Sequence, residues 1–557
     1  MMKMECGRWN DELKSYCMKD FFIRLWNNET SGLTAAAVIV GGASLVSRLV
    51  GVLRDRVLAS SFGAGDVLDA YYAAFRLPDL LYTLIILGAL SAGFIPVFAE
   101  YLETRSKEEA WDLAERALSV VGAIMLVVCG ALVIFAPMLV PLTVPGFDAE
   151  QLARTIQLSR IMALSPFFLG LSAVMGGVLQ ATRRFLAFAL APVFYNFGII
   201  FGALVFAPIM GIEGLAWGVA LGAFLHLLTQ ASVALRLGLR RIPAPSLRHK
   251  GIKRILWLMA PRTAGLAVTQ INMVVLLTLA SALPAGSIAV FNLANNLQSF
   301  PIGIFGISFA VAAFPNLARA AGAKREDEFR NILVSSARKI VFLIIPATAC
   351  FFLLRAQIVR LALGAGIFDW SDTIRTADVM GIFTISMVFQ AMVPLLARAF
   401  YALQDTWTPL IAGLVAEAFN LALAILLRNQ FGINGLAMAF SASAILNVGF
   451  LWWLLRHKKG SLGRGEFTMS AAKTGAASVA LFGFGWLARQ AIGTIFPLRT
   501  FWQVALQAGG ALVIGLGAFC LVAWLLKSEE FHEFRESMLK KLFRKAVVQG
   551  AEEAQKV

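Results

Sequence analysis

A chain of 557 residues that is 59% hydrophobic, with a mean hydropathy of +0.75, is excluded from the soluble globular proteins, because its apolar runs are too long and too numerous for one aqueous core. A net charge of +16 would suit nucleic acid, but the excess Lys and Arg fall in short segments between apolar runs. That is the positive-inside pattern, so the expected partner is the anionic inner leaflet, with no nucleic acid.

The expected fold is an all-α polytopic membrane protein. Residues 1–31 are polar and mixed in charge, without the basic-then-apolar order of a signal peptide, and read as a cytoplasmic extension. Two charged apolar runs follow. In the first, LTAAAVIVGGASLVSRLVGVLRDRVLASSF, Ser44, Arg48, Gly51 and Asp55 share one helical face, and Arg54 and Arg56 lie close by. In the second, Asp69, Tyr72, Arg76 and Asp79 form a similar stripe. A charge near the bilayer midplane costs roughly 2.5–3.5 kcal/mol, so such residues face a bundle interior or a wet cavity. Asp69 and Arg56 fit snorkelling at the membrane surface equally well. Arg48 does not, since it sits about 15 residues, or roughly 22 Å, into its run.

Further apolar runs cover about 112–136, 152–180, 185–208, 212–236, 253–282, 286–318, 329–354, 376–403, 407–428, 434–456, 470–492 and 501–526, giving about fourteen transmembrane helices with the first two. Arg183–Arg184, the segment Arg236 to Arg254, Lys324–Arg325 and Arg456 to Lys459 fall between alternate spans, which puts them and both termini on the cytoplasmic side. The five cysteines, Cys6, Cys17, Cys129, Cys350 and Cys520, have no metal spacing, and the last three read as buried small hydrophobes.

The chain repeats itself. GIEGLAWGVALGAF at 211–224 matches GINGLAMAFSASAI at 432–445, Leu179–Gln180 matches Leu403–Gln404, Phe194 with Asn196 approximates Phe419 with Asn420, and GFIPVFAE at 93–100 resembles AAFPNLAR at 312–319. An even number of spans per copy implies two parallel six-helix repeat lobes. The expected division is an N-lobe at 32–236, a basic linker at 237–252, a C-lobe at 253–456, a C-terminal helix pair at 457–526 and a tail at 527–557. In that tail Phe531, Phe534, Met538 and Leu542 recur at helical spacing among Lys540, Lys541, Arg544 and Lys545, as in an amphipathic surface helix.

Enzyme parts are not evident. His226, His249, His457 and His532 are scattered, and there is no phosphate loop or nucleophile elbow, so the chain reads as a non-enzyme. Guanidinium groups in a low-dielectric cavity instead suit a phosphate or pyrophosphate. Arg48, Arg54 and Arg76, with Asp55 and Asp69 moderating the empty site, would hold an anionic lipid headgroup. A weaker cation or proton site is expected from Glu417 and Asn420 on one span and Gln270 and Asn272 on another, where carboxylate and amide oxygens suit Na⁺ or Glu417 takes up H⁺. Interhelical hydrogen bonding explains the same residues.

SRLVGVLRD at 47–55, FGAGDVLDAYYAAFRLPDLL at 62–81, GFIPVFAEY at 93–101, QIN at 270–272 and ARAFYALQDTWTP at 397–409 together resemble the MurJ (MviN) family of lipid II flippases. The resemblance implies two six-helix lobes in a V around a central cavity, a final helix pair forming a groove, and a place in the bacterial inner membrane. It also implies movement of an undecaprenyl-pyrophosphate-linked peptidoglycan precursor to the outer leaflet by alternating access, driven by an ion gradient or the membrane potential. Arg48, Arg54, Asp55 and Asp69 match functional cavity charges of the family, and Arg76 a basic position. Three positions depart from it: Tyr82 follows Leu81 where an arginine is usual, Leu87–Gly88–Ala89 replaces EGA, and Asn295–Asn296–Leu297 replaces D-R-L. Arg262, after Pro261, is placed to compensate or to snorkel. Alternative readings are an exporter of another polyprenyl-linked oligosaccharide or an amphipathic drug, a membrane-embedded transferase, and a non-transporting scaffold in which Arg48 is dispensable. A monomer without a cofactor beyond Na⁺ or H⁺ is expected.

Overall fold

The computed structural model describes residues 33–87, 93–460, 464–496 and 500–536, so the expected N-terminal extension and the Met538 to Lys545 part of the tail lie outside the described residues. Every regular element among the described residues is a helix. In chain order these are α1 (Leu33–Phe62), α2 (Asp66–Leu81), α3 (Ile95–Thr104), α4 (Lys107–Thr143), α5 (Ala149–Met162), α6 (Leu164–Ala181), α7 (Phe185–Phe201), α8 (Ala207–Met210), α9 (Glu213–Leu237) and α10 (Lys250–Ser281). They continue as α11 (Ser287–Pro301), α12 (Ser308–Gly322), α13 (Glu326–Leu353), α14 (Arg355–Ala362), α15 (Trp370–Ala402), α16 (Trp407–Phe431), α17 (Ile433–Lys459), α18 (Arg464–Ile495) and α19 (Phe501–Leu525).

Among the described residues, 10 helices or helix pairs are long and apolar enough to cross a membrane, which makes this a multi-pass membrane protein. The other four runs read as spans are helical too: α1 over 30 residues, α10 and α18 over 32 each, and α2 over 16.

The repeat seen in the sequence extends to backbone detail. Wide π-helical turns occur at Tyr82–Leu87 and again at Ile302–Ile307, the corresponding place in the second copy. A wide turn leaves carbonyls without their usual partner, and a membrane offers no water to satisfy them. Hydroxyls do so instead: Thr263 Oγ1 donates to Leu84 O at 3.2 Å, and Ser308 Oγ donates to Gly303 O at 3.3 Å. Left-handed residues recur at the same spacing, pairing Gly63 with Gly286, Arg183 with Gln404, Gly211 with Gly432 and Gly238 with Gly460.

The chain divides into two compact units, Met1–Ala289 and Val290–Val557. Phe94, Phe98, Leu113, Met125, Leu179 and Val233 form the core of the first, joined by Ile252 and Ile255 of α10. Helix α10 therefore packs with α4 and the wide turn after α2, and the compact boundary falls near the start of α11. Within this unit α7 and α9 approach along Gly198, Gly202, Gly218 and Gly222. A Cβ added to Gly198 would fall inside the Gly222 backbone, so the seam depends on glycine.

The second unit has a core of Leu333, Ile340, Met387, Leu395, Phe400 and Leu451. A smaller cluster of Phe342, Ala477, Leu481, Phe519 and Ala523 fastens α18 and α19 to α13. Cys129 is buried as expected, but Cys520 is exposed on α19, which corrects its reading as a buried residue: it lies on a face of this helix that the described residues do not cover.

Candidate anion-binding site in the first unit

Helix α1 places Arg54 and Asp55 side by side, with Asp55 only 4% exposed. Arg54 Nη2 and Nε both donate to Asp55 Oδ1, at 2.8 and 3.0 Å. The guanidinium's third contact comes from far along the chain: Nη1 donates to Asn196 Oδ1 of α7 at 3.0 Å. Asn196 is itself oriented by donating Nδ2 to Pro192 O at 3.0 Å. Tyr71 and Tyr72 of α2 stand beside this cluster. The result is an ion pair of zero net charge whose guanidinium is held further by an amide dipole, on helices that carry long apolar faces. Arg48, about two turns earlier on α1, is half-buried.

Helix α2 adds a second group. The Arg76 Nε and Tyr72 Oη atoms are buried without a hydrogen-bond partner. They lie on one helical face, with Asp79 the charge nearest Arg76. Asp79 shares Gln270 of α10 with Thr83, whose Oγ1 accepts from Gln270 Nε2 at 2.6 Å. An unfilled guanidinium donor beside an unfilled phenol is chemically disposed to receive an anionic oxygen.

Asp69 has a different position. Only 3% exposed, it accepts from the backbone amides of Gly286 and Ala289, both at 2.7 Å, and so caps the first turn of α11. It neither snorkels nor stands open.

The remaining expected residues are placed within their own units. Tyr82 opens the wide turn and packs against the first core. Asn296 lies on α11, where its carbonyl accepts from Ser299 Oγ at 2.8 Å. Arg262 lies on α10, with its side chain outside the described residues. Of the expected cation ligands, Gln270 is engaged as described, Asn272 is 6% exposed on the same helix, and Glu417 pairs with the buried Asn420 on α16 in the second unit. His226 pairs its Nδ1 with Ser172 Oγ at 2.7 Å, as a packing histidine would.

Asn196 and Thr83 were not anticipated as site residues. For Asn196 a signal existed, because it is the one amide in the run FLAFALAPVFYNFGIIF. The hydroxyl of Thr83 among Leu and Ile carried no such signal.

A family profile described as "Lipid II flippase MurJ" matches residues 58–503. A probable lipid II flippase MurJ of Rhizobium tropici is 29% identical over 533 residues, covering 90% of this chain and 96% of that protein. The lipid II flippase MurJ of Burkholderia cenocepacia is 30% identical over 457 residues, 76% of this chain and 84% of that one. Among solved structures, a lipid II flippase MurJ in an inward closed conformation aligns with TM-score 0.73 at 23% identity, over 88% of this chain and 98% of the other. An inward-facing multidrug transporter of the MATE family aligns with TM-score 0.65 at 17% identity, over 77% and 99%. These two likenesses concern the fold. The sequence match, running from within α1 to the start of α19 and including the charged stripe of α2, is what establishes descent: this chain belongs to the MurJ family of lipid II flippases.

Proposed function

We propose that the chain moves lipid II, the undecaprenyl-pyrophosphate-linked peptidoglycan precursor, from the inner to the outer leaflet of the bacterial inner membrane. The observation that carries this reading beyond family membership is the Arg54 cluster together with the unpartnered Arg76 Nε. Arginine binds pyrophosphate oxygens through paired N–H donors, and in a low-dielectric setting each such contact is strong. Asp55 lowers the cost of holding Arg54 charged while no substrate is bound. A pyrophosphate would then compete for donors that are already arranged. The isoprenoid tail stays in the bilayer while the headgroup passes, and alternating access supplies the passage.

Coupling to Na⁺, H⁺ or the membrane potential belongs to the same proposal, with Glu417 and Asn420 as candidates for the ion. So does a monomer with both termini in the cytoplasm. The direct test is complementation of cells depleted of their own flippase. Arg54→Ala and Arg76→Ala are expected to abolish growth at unchanged protein level, and full growth of both variants would overturn the headgroup role. Native mass spectrometry with undecaprenyl pyrophosphate and monophosphate lipids checks the binding step, where the pyrophosphate is expected to be retained preferentially.

A further inference from the structure

Helix α19 ends in a way that costs the protein something. Lys527 takes φ +50, a left-handed conformation that glycine adopts freely and lysine does not. The turn is closed by Lys527 N donating to Trp524 O at 3.0 Å and Ser528 N donating to Ala523 O at 3.0 Å, the usual helix-ending pair of bonds in which glycine would be the ordinary residue. The turn thus fixes where the lysine side chain leaves the backbone, against conformational preference.

That point borders a recess of about 480 Å³ lined by Trp524, Leu525, Lys527, Glu529 and His532. The groups around it are arranged unevenly. Lys473 Nζ donates to the Lys527 carbonyl at 3.3 Å, bringing a second ammonium to the end of the helix. The one lining carboxylate, Glu529, is paired with Arg338. His532 is turned to the segment's own backbone, its Nδ1 donating to Ser528 O at 2.8 Å. On the helix side the surface is apolar and not covered by the described residues: Leu521 is 57% exposed, Trp524 50% and Leu525 60%. Cations above an open apolar strip, at the end of a membrane-crossing helix and with a tryptophan at the boundary, match an anionic lipid: phosphate at the cations, acyl chains along the strip.

We propose that this recess binds the headgroup of an anionic phospholipid, with Lys527 on the phosphate, Lys473 beside it, and Trp524 and Leu525 against the glycerol and upper acyl chain. The site is independent of the lipid II reading. It ties the terminal helix pair to bilayer composition.

The test is native mass spectrometry of the full chain released from mixed micelles containing phosphatidylglycerol and phosphatidylcholine with the same acyl chains. The wild type is expected to retain phosphatidylglycerol preferentially. Lys527→Gly removes the ammonium and at the same time relieves the positive φ. It should melt no lower than wild type yet lose about fivefold in phosphatidylglycerol retention. Lys473→Ala should lower retention in the same direction. Arg240→Ala with Arg241→Ala, a basic pair elsewhere, should leave it unchanged. Equal retention of the two lipids, an unchanged Lys527→Gly variant, or an equal loss in the arginine pair would each overturn the proposal. Displacement by soluble glycerol 3-phosphate would assign the recess to a water-soluble phosphate ester and overturn the lipid assignment.

Discussion

Asn196 accepts from Arg54 at 3.0 Å, and it presents its oxygen because its amide NH₂ is already given to the Pro192 carbonyl. The two residues lie 142 positions apart. A hydrogen bond to a charged group contributes about 1.5–3 kcal/mol. Asn196→Ala should therefore weaken pyrophosphate-lipid retention about tenfold or more by freeing the guanidinium to rotate. Asn196→Asp should be worse. It gives Arg54 a second carboxylate and makes the cluster net negative, which repels the same headgroup. Wild-type retention by Asn196→Asp in native mass spectrometry would separate this cluster from the substrate.

Asp69 and Arg76, two turns apart on α2, should fail in opposite ways. Asp69 holds two backbone amides of α11, so Asp69→Ala removes both acceptors and should lower stability by about 1–3 kcal/mol, read as a drop in melting temperature in detergent. Asp69→Asn keeps one acceptor oxygen and should fall between. Arg76 Nε has no hydrogen-bond partner to lose, and Arg76→Lys keeps a cation beside Asp79, so Arg76→Lys should melt near wild type while failing complementation. The reverse pattern would exchange their roles.

What the sequence disclosed follows from the range of the interactions involved. Arg54 next to Asp55, the stripe of α2 and the repeat are local or periodic features, and they are visible in one dimension. The family motifs added the function class. The contacts that complete the site are not local. Gln270 offers an amide that suits either a cation or an interhelical hydrogen bond, and only the structure shows its Nε2 meeting Thr83, 187 residues away. Asp69 reads as a surface or cavity charge because nothing in the sequence marks Gly286 and Ala289 as a helix start waiting for a carboxylate. The wide turns were not legible either, because they shift the hydrogen-bond register without changing the apolar composition.

Acid should expose one ion pair outside the membrane-crossing helices. Asp405 lies between α15 and α16, where Lys458 pairs with it, Thr408 N donates to Oδ1 at 2.9 Å and Thr408 Oγ1 donates to Oδ2 at 2.6 Å. Partial burial works against its charge, but the Lys458 ammonium and the Thr408 donors outweigh burial and hold the carboxyl at about 2. The unfolded value is about 3.9. A depressed value stabilises the fold fully above about pH 4, and that contribution is lost as pH falls towards about 2. Melting temperature followed from pH 5 to pH 2 should fall more steeply in wild type than in Asp405→Asn, which has no proton to take up. Parallel curves would remove the pair from the acid response.

The last prediction concerns how the chain after α19 is fastened. Arg338 of α13, with a side chain 17% exposed, donates Nε to Glu530 Oε1 at 2.6 Å and pairs with Glu529. Glu530 is 5% exposed there and also accepts from Ser470 of α18 at 2.6 Å and Ser528 at 2.9 Å. One carboxylate thus joins α13, α18 and the segment after α19. Removing only the cation would strand a buried anion, so Arg338→Met should cost about 3 kcal/mol and open the Lys527–Ser528 bond to trypsin. Adding Glu530→Leu should recover most of that loss, because an apolar pair of similar volume avoids the desolvation that the ions require. If the double variant were no more stable than Arg338→Met alone, the cost would lie in lost packing of the arginine stem, and Glu530 would be a bystander.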